Sequence, residues 1–198
     1  MLQAKGFQAA GTDQIGTWLS AKRVHVDLMV PEAVGGGGRR GARLGPHGNG
    51  VARKARGLEA ALVDRQTMTI AALEAGDDRR FDVAVAGPAA LLVAKLHKLA
   101  DRQQTPRRQD DKDALDVYRL LQAVSTEQLA TGLRAILADE RAKAVGEKAL
   151  EILSGLFGTP NAAGSQMAAR AVGLLGDPVA IALSCAALTE DLLDAISR

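Results

Sequence analysis

The spacing of apolar residues changes at Pro88, and no other feature of this sequence constrains the fold as strongly. From Pro88 onwards, Ala and Leu recur every three or four residues, which is typical of amphipathic helices. Before it, apolar residues alternate in RVHVDLMVP (23–31) and RFDVAVAGP (80–88), which is typical of strands. With 198 residues, of which 47% are hydrophobic, the chain can bury a core. These patterns predict an α+β protein with a sheet-containing part over residues 1–86 and an all-helical bundle over 87–198.

Local signals predict the individual elements. Ser125 and Asp177 precede apolar periodic runs and are the expected N-caps of two helices. An early helix is expected over residues 13–20, and the runs 58–64 and 68–74 are expected to form a hairpin. The predicted helices of the second part cover residues 88–103, 111–123, 126–139, 141–156, 162–174 and 178–196.

A glycine- and arginine-rich segment interrupts the first part at residues 35–57. Half of the residues from 35 to 50 are glycine, and the entropy of ordering them predicts a long mobile loop. There is no acidic residue between Glu32 and Glu59, so the segment carries a local positive field suited to phosphate groups. We therefore expect RNA to contact residues 39–56. Its basic residues are Arg39, Arg40, Arg43, Arg53, Lys54 and Arg56.

Composition excludes several other classes. Cys185 is the single cysteine, so an internal disulfide and a thiolate zinc site are excluded. The N-terminus lacks the order of a signal peptide, and no long apolar run predicts a membrane span, so we expect a cytoplasmic protein that does not use a membrane. Aromatic residues make up only 3% of the chain, which disfavours binding of single strands by base stacking. Acidic residues at 77, 78 and 82 are interpreted as a turn and a solvated strand face.

Three basic residues follow one face of the first predicted helix of the bundle. Lys95, Lys98 and Arg102 lie within roughly 60° of one another at 100° per residue, beside the apolar stripe. The next predicted helix begins with Lys112 and carries Asp113 and Asp116. One interpretation is a network of salt bridges between the two helices. The other is a wall that binds a polyphosphate, with Arg102 holding a phosphate or carboxylate through two hydrogen bonds.

The segments VAGPAALLVAKLHKLADR and KDALDVYRLL resemble the helical region of nucleotidyltransferase-like proteins of the AbiEii group, within the polymerase-β-like superfamily. That group commonly has a lysine helix, an arginine and an acidic helix of the form (R/K)DxxDL. This sequence departs from that form at Val117, where leucine is usual. The resemblance extends back through VHVDLMVP to about residue 23 and covers about half of the chain.

The resemblance implies a role for each matching residue. Lys95 and Arg102 correspond to catalytic residues, while Lys95, Lys98, Lys112, Asp113 and Asp116 form the nucleotide-binding wall. Asp27 corresponds to the third metal-binding acid of the family, which holds Mg²⁺ with two further acids. The structural alternative for Asp27 is an outward residue on an alternating strand.

The first two acids of the family stand upstream of the third, in a DxD-like strand after a glycine turn. Only 26 residues precede Asp27, and they contain no DxD. We expect either that the chain begins inside a longer reading frame or that the protein has lost this half. As written, the chain is expected to lack metal-dependent catalysis, because one carboxylate cannot hold two Mg²⁺ ions.

Two functions follow as hypotheses. The first is a nucleotidyltransferase-like protein that moves a nucleotidyl group from a nucleoside triphosphate to an acceptor such as RNA, with Mg²⁺, when the other metal-binding acids are supplied. The resemblance also implies a toxin with a partner antitoxin protein. The alternative is a noncatalytic module, derived from the same fold, that binds nucleotide, nucleic acid or protein.

Overall fold

A computed structural model of the chain describes residues 2–11, 13–37, 40–103, 111–173 and 176–198. It confirms the α+β class, with short strands first and helices after them. Contacts divide the chain into two compact units, Met1–Glu59 and Ala60–Arg198. The predicted boundary near Gly87 marks the passage from strand to helix inside the second unit, and as a domain boundary it stays a prediction.

The described residues of the first unit form five short strands in two sheets. The strands are β1 (Gln8–Ala9), β2 (Thr17–Leu19), β3 (His25–Asp27), β4 (Met29–Pro31) and β5 (Arg53–Ala55). Strand β2 lies between β1 and β3 in an antiparallel sheet, and β4 pairs with β5 in parallel. Gly41 forms an antiparallel bridge with Arg53, so residues 40–42 run along the free side of β5.

Two predictions for the first unit are wrong in detail. The expected helix over residues 13–20 instead contains β2, because Thr17 and Leu19 pair with β3 across a turn. The single strand expected over residues 23–31 is two strands that separate at Leu28, because Leu28 donates to the Gly16 carbonyl and accepts from the Arg53 N–H.

The segment expected to be a mobile loop is irregular over most of its described part, and its mobility stays a prediction. A turn of 3-10 helix covers Gly45–His47, and the chain returns to pair with itself at Gly41 and Arg53. Gly41 has no room for a side chain, since a Cβ there would collide with the Asn49 carbonyl. Glycine here permits a close backbone approach. Residues 38 and 39 lie outside the described residues.

The second unit begins with a hairpin of two strands, β6 (Arg65–Ala71) and β7 (Arg80–Ala86), paired in antiparallel register. The predicted pairing of 58–64 with 68–74 is wrong, since Leu58–Leu62 forms a 3-10 helix. Its run of Leu and Ala matched a buried strand equally well at this length. The described strands thus form three separate small sheets and not one mixed sheet.

Six helices complete the second unit, and the sequence predicted all of them closely. Ser125 and Asp177 are N-caps, as predicted, because their side chains accept from the backbone N–H of Gln128 and Val179. The predicted residue 174 lies outside the described residues. The helices are α1 (Pro88–Gln103), α2 (Asp111–Ala123), α3 (Thr126–Ala138), α4 (Lys143–Phe157), α5 (Ala163–Val172) and α6 (Pro178–Ser197).

The core of the second unit lies among these helices. Leu92, Leu96 and Leu99 of α1 are fully buried and pack with leucines of α3 and α4 and with Phe157. Burying a leucine side chain stabilises the fold by about 1.5–3 kcal/mol. The stripe that places Lys95, Lys98 and Arg102 is therefore fixed by the packing of α1.

Replacing Leu96 by Ala should lower the free energy of unfolding of the helical unit by about 2–5 kcal/mol, because it removes a fully buried side chain and leaves a cavity. Urea titration followed by circular dichroism at 222 nm measures this loss. Leu91→Ala is the matched control, since Leu91 is on the same helix but exposed, and it should change the stability by less than about 1 kcal/mol. Equal losses in the two variants would contradict this assignment of the core.

Candidate functional site

Helices α1 and α2 bring the predicted basic and acidic residues together. The Lys95 ammonium donates to Asp116 Oδ2 at 2.5 Å, and the Lys98 ammonium donates to Asp113 Oδ1 at 2.7 Å. The Arg102 guanidinium donates to the other oxygen of Asp113. Lys95 also approaches Asp113, at 3.8 Å. We call these five residues the α1–α2 ion cluster.

Asp113 is the centre of the α1–α2 ion cluster. It is only 2% exposed, and it lies in the first turn of α2, where the positive end of the helix dipole favours a carboxylate. Both of its oxygens accept hydrogen bonds from cations of α1. A carboxylate this buried requires such partners, because removing a charge from water costs several kcal/mol.

The ion cluster supports the first of the two interpretations, a salt-bridge network between helices. The repulsion among Lys95, Lys98 and Arg102 is relieved inside the protein, so it no longer requires a bound anion. Three cations nevertheless share two carboxylates. The side chains of Lys95, Lys98 and Arg102 stay 30%, 46% and 29% exposed, so each remains partly accessible from the solvent.

The remaining charged residues of α2 extend the network. Lys112 is exposed on the first turn of the helix, next to Asp113 in sequence. Arg119 lies 3.9 Å from Asp116. Asp111 forms a bidentate pair with Arg170 of α5, which raises the pKa of that arginine through its hydrogen bonds to the carboxylate. The carboxylates of α2 therefore contact α1 through Asp113 and Asp116, and α5 through Asp111.

Asp27 belongs to the first unit, whereas the α1–α2 ion cluster belongs to the second. Asp27 lies on β3 with an exposed side chain, and its Oδ1 accepts a 2.6 Å hydrogen bond from the hydroxyl of Thr17 across the sheet. Among the described residues, no group of three or more His, Cys, Asp or Glu side chains could hold a metal ion. Among the described residues, Asp27 thus has no neighbouring acids that would complete the Mg²⁺ site implied by the resemblance, and we assign no chemical step to a metal ion.

Basic residues of the first unit gather around Gly35 and Gly36. The Lys54 ammonium donates to the Gly36 carbonyl at 2.8 Å, and the Arg43 side chain lies against Gly36. Arg40 lies opposite Lys54, whose N–H donates to the Arg40 carbonyl. Arg40 and Arg43 are exposed, and within the described part of the chain neither forms an ion pair. We call Arg40, Arg43 and Lys54 the basic surface.

The other cations of the same segment are placed differently. Arg53 points to the opposite face of its strand and donates to the Met29 sulfur at 3.2 Å. Arg56 is paired with Glu32 at 2.7 Å. Arg39 lies outside the described residues. The fold thus places Arg40, Arg43 and Lys54 together in the basic surface, whereas Arg53 contacts Met29 and Arg56 contacts Glu32.

Two acids that position these elements were missed by the sequence interpretation. Glu59 is 3% exposed, and its carboxylate accepts from the backbone N–H of Ala33 and of Gly57, which closes the glycine-rich segment. Asp64 accepts from the N–H of Ala90 and so caps α1 from outside the helix. The sequence could have indicated Glu59, because it is the first acid after the acid-free stretch. Nothing in the sequence near α1 could have indicated Asp64, because it lies 26 residues before the N–H that it caps.

Cys185 and His97 are both buried in the second unit. Burial raises the pKa of the Cys185 thiol to about 11, so the thiolate is disfavoured near neutral pH. His97 is buried and its Nε2 lies 2.9 Å from the Val145 carbonyl.

A cavity of about 570 Å³ lies where α1 and α3 begin, and Asp64, Arg65 and Glu127 are among its lining residues. It is at the opposite end of α1 from Arg102.

Comparison of this chain with protein-family models, with curated proteins and with solved structures gives no match. Within the described residues, none of the helices has the length and apolar character needed to cross a membrane. The resemblance to the AbiEii group therefore rests on the sequence motifs alone.

Replacing Asp113 by Asn should lower the free energy of unfolding by about 2–3 kcal/mol, because the cations of α1 lose their shared carboxylate. The expected loss lies between about 3–5 kcal/mol for breaking a fully buried ion pair and about 1 kcal/mol for breaking an exposed one. Urea denaturation at low and high salt measures the loss. Asp116→Asn is the control, since Asp116 is more exposed and should lose less. Equal stability of Asp113→Asn and wild type would show that the ion cluster does not hold the helices together.

Proposed function

We propose that this chain is a nucleic-acid-binding module of the nucleotidyltransferase-like type, located in the cytoplasm, and that its first unit contacts the phosphate backbone of RNA. The observation that carries the proposal is the basic surface. Arg40 and Arg43 are exposed and have no acidic partner among the described residues, unlike the cations of the α1–α2 ion cluster.

The distribution of charge along the chain supports this choice of unit. Residues 1–59 contain nine Lys and Arg against four Asp and Glu, a net charge of +5. The remaining 16 Lys and Arg face 19 Asp and Glu, a net charge of −3. A field of one sign in one unit attracts a polyanion and raises its association rate.

Two of the four acids of the first unit are held by contacts other than Arg40 and Arg43. Glu59 is buried against backbone N–H groups, and Glu32 is paired with Arg56. The basic surface lies beside Gly35 and Gly36, where the absence of a Cβ leaves room for the side chains of Lys54 and Arg43. Arginine suits contact with a phosphate, since its fork of N–H groups can hold two phosphate oxygens.

The mode of binding follows from what surrounds the basic surface. Trp18 is buried and its indole N–H donates to the Val51 carbonyl, so its ring is not presented for base stacking. Contacts to phosphate without stacking carry no sequence information. The proposed binding is therefore tolerant of sequence and strongly dependent on salt.

The double variant Arg40→Ala/Arg43→Ala should bind RNA about tenfold more weakly at low salt. The slope of log affinity against log salt should fall by about 0.7 for each lost phosphate contact on a single strand. Fluorescence anisotropy with a labelled, mixed-sequence single-stranded RNA at several salt concentrations measures both quantities.

Arg56→Ala is the control for this experiment, because it removes an arginine from the same unit whose guanidinium is held by Glu32. It should keep nearly the wild-type affinity and slope. Wild-type protein that shows no salt-dependent binding would contradict the proposal. So would a double variant that behaves like Arg56→Ala.

A second candidate function is nucleotidyl transfer from a nucleoside triphosphate to an acceptor such as RNA. The specific observation in its favour is the α1–α2 ion cluster, in which three partly exposed cations share two carboxylates. The exposed parts of these side chains suit a polyphosphate, with Lys98 as the most exposed contact. The Mg²⁺ dependence, the catalytic roles of Asp27, Lys95 and Arg102, the toxin role and a partner antitoxin belong to this proposal through the resemblance alone.

Under this second proposal, Lys95→Ala/Lys98→Ala should weaken binding of a nucleoside triphosphate about tenfold, a loss of about 1.4 kcal/mol. Titration calorimetry with each triphosphate, with and without Mg²⁺, measures the affinity. Transfer of label from the α-phosphate to RNA measures activity. The enzyme hypothesis requires that Mg²⁺ strengthens binding.

The matched control is Lys143→Ala/Lys148→Ala, which removes two exposed lysines of α4 that face glutamates of the same helix. Its triphosphate affinity should equal that of the wild type. If the α1 variant changes only the stability of the protein and not its triphosphate affinity, the ion cluster serves packing alone.

A further inference from the structure

The β6–β7 hairpin has one apolar and one polar face. Its register places Met68 opposite Val83 and Ile70 opposite Phe81 on one side. On the other side Thr69 lies opposite Asp82, and the Thr69 hydroxyl donates to Asp82 Oδ1 at 2.6 Å. Successive residues of a strand alternate between faces, so the whole ribbon is amphipathic.

The apolar face of this hairpin is exposed. Met68, Ile70 and Phe81 are 47%, 54% and 62% exposed, values that belong to a surface and not to a core. Among the described strands, β6 and β7 pair only with each other, so each has one edge without a partner. An isolated two-stranded ribbon is marginally stable in water, and an unpaired edge is a template for another strand.

The sequence of β7 determines which strand fits that edge. Arg80, Phe81 and Asp82 are consecutive, with a positive and a negative residue on either side of an aromatic one. In an antiparallel pair of two β7 strands centred on Phe81, Arg80 of each copy faces Asp82 of the other. The charge pattern is therefore complementary to itself under a two-fold axis.

The contacts within the chain leave these groups available. Arg80 is exposed and, across the described residues, has no ion-pair partner. Asp82 uses Oδ1 for Thr69, and its Oδ2 can accept from a guanidinium. The neighbouring Arg79 is already engaged by Asp77 at 2.5 Å. The pairing thus gives Arg80 a carboxylate without removing one from another cation.

We propose that two copies of this chain associate through β7, in an antiparallel pair centred on Phe81. The two hairpins then form one sheet of four strands in the order β6–β7–β7–β6. Two Arg80–Asp82 pairs lie on its polar face, and the two Phe81 rings are neighbours on its apolar face. A pair centred on Phe81 is preferred to one centred on Val83, which would place Arg80 opposite Ala86 and leave its charge unpaired.

A charge exchange tests this pairing in the full chain. Arg80→Asp and Asp82→Arg each place like charges opposite one another, so each should shift the dimer to monomer in sedimentation velocity at tens of micromolar. The double variant Arg80→Asp/Asp82→Arg restores both pairs and should restore the dimer. Arg65→Asp is the control, because Arg65 is exposed on β6, away from the shared edge, and should leave association unchanged.

Cross-linking tests the register. Directly opposed residues of antiparallel strands have Cβ atoms about 4.5–5.5 Å apart. Phe81→Cys should therefore form a disulfide-linked dimer on mild oxidation with oxidised glutathione. Val83→Cys, two residues from the axis, should not. The native Cys185 is buried and gives no background of cross-linked protein.

The outcomes are distinct. Dimer loss in both single charge variants, its recovery in the double variant and a cross-link at residue 81 support the proposal. A wild-type monomer at all concentrations overturns it, as does a dimer that ignores the charge changes. A dimer cross-linked at residue 83 but not at 81 overturns the proposed register. If a different protein binds this edge in place of a second copy, the wild type is monomeric, which overturns the proposal.

Discussion

The buried carboxylate of Asp113 is the interaction on which the organisation of the second unit depends. It lies in the first turn of α2 and accepts hydrogen bonds from Lys98 and Arg102 of α1, so it fixes where the two helices meet. Apolar packing alone is not directional, whereas a carboxylate with two cationic partners accepts only a narrow range of positions. The same contact explains why three like charges can stand close together on α1.

The fold also separates two kinds of positive charge. In the α1–α2 ion cluster the cations are consumed largely by contacts within the protein, and a structural role accounts for most of their arrangement. In the basic surface, Arg40 and Arg43 have no such contacts in the described range. Sequence motifs drew attention to the first group, whereas our proposal assigns contact with an external phosphate to the second. A sequence motif shows which residues are charged. The contacts and burial of those residues determine which of them can bind an external ligand.

The sequence predicted the helices well because their signals are local. Apolar spacing, Ser125 and Asp177 lie within the elements that they define, and α1 and α2 have the predicted bounds. The strands were predicted less well, because β2 exists only through its pairing with β3, and no residue near Thr17 encodes that partner. The glycine-rich segment depends on contacts that local patterns do not encode. Gly41 lies against the Asn49 carbonyl, and Glu59 binds the N–H groups of Ala33 and Gly57.

The candidate site shows the same division. Helical spacing predicted that Lys95 and Lys98 would share a face and that Asp113 and Asp116 could meet them. It did not predict that Lys98 and Arg102 would share one carboxylate, since this depends on the distance between two helices. The complementary order of Arg80 and Asp82 was visible in the sequence, but its relevance depends on the edge of β7 that has no partner among the described strands.

Asp64 joins the root of the hairpin to the bundle. Its side chain binds the first turn of α1, its carbonyl accepts from Gly87, and a Cβ on Gly87 would collide with its carboxylate. The ribbon is therefore anchored at one end, while its tip, residues 72–79, is constrained mainly by its own turn. Changes in the length of the tip should therefore be tolerated. A residue larger than glycine at Gly87 should not be, because its Cβ would collide with Asp64.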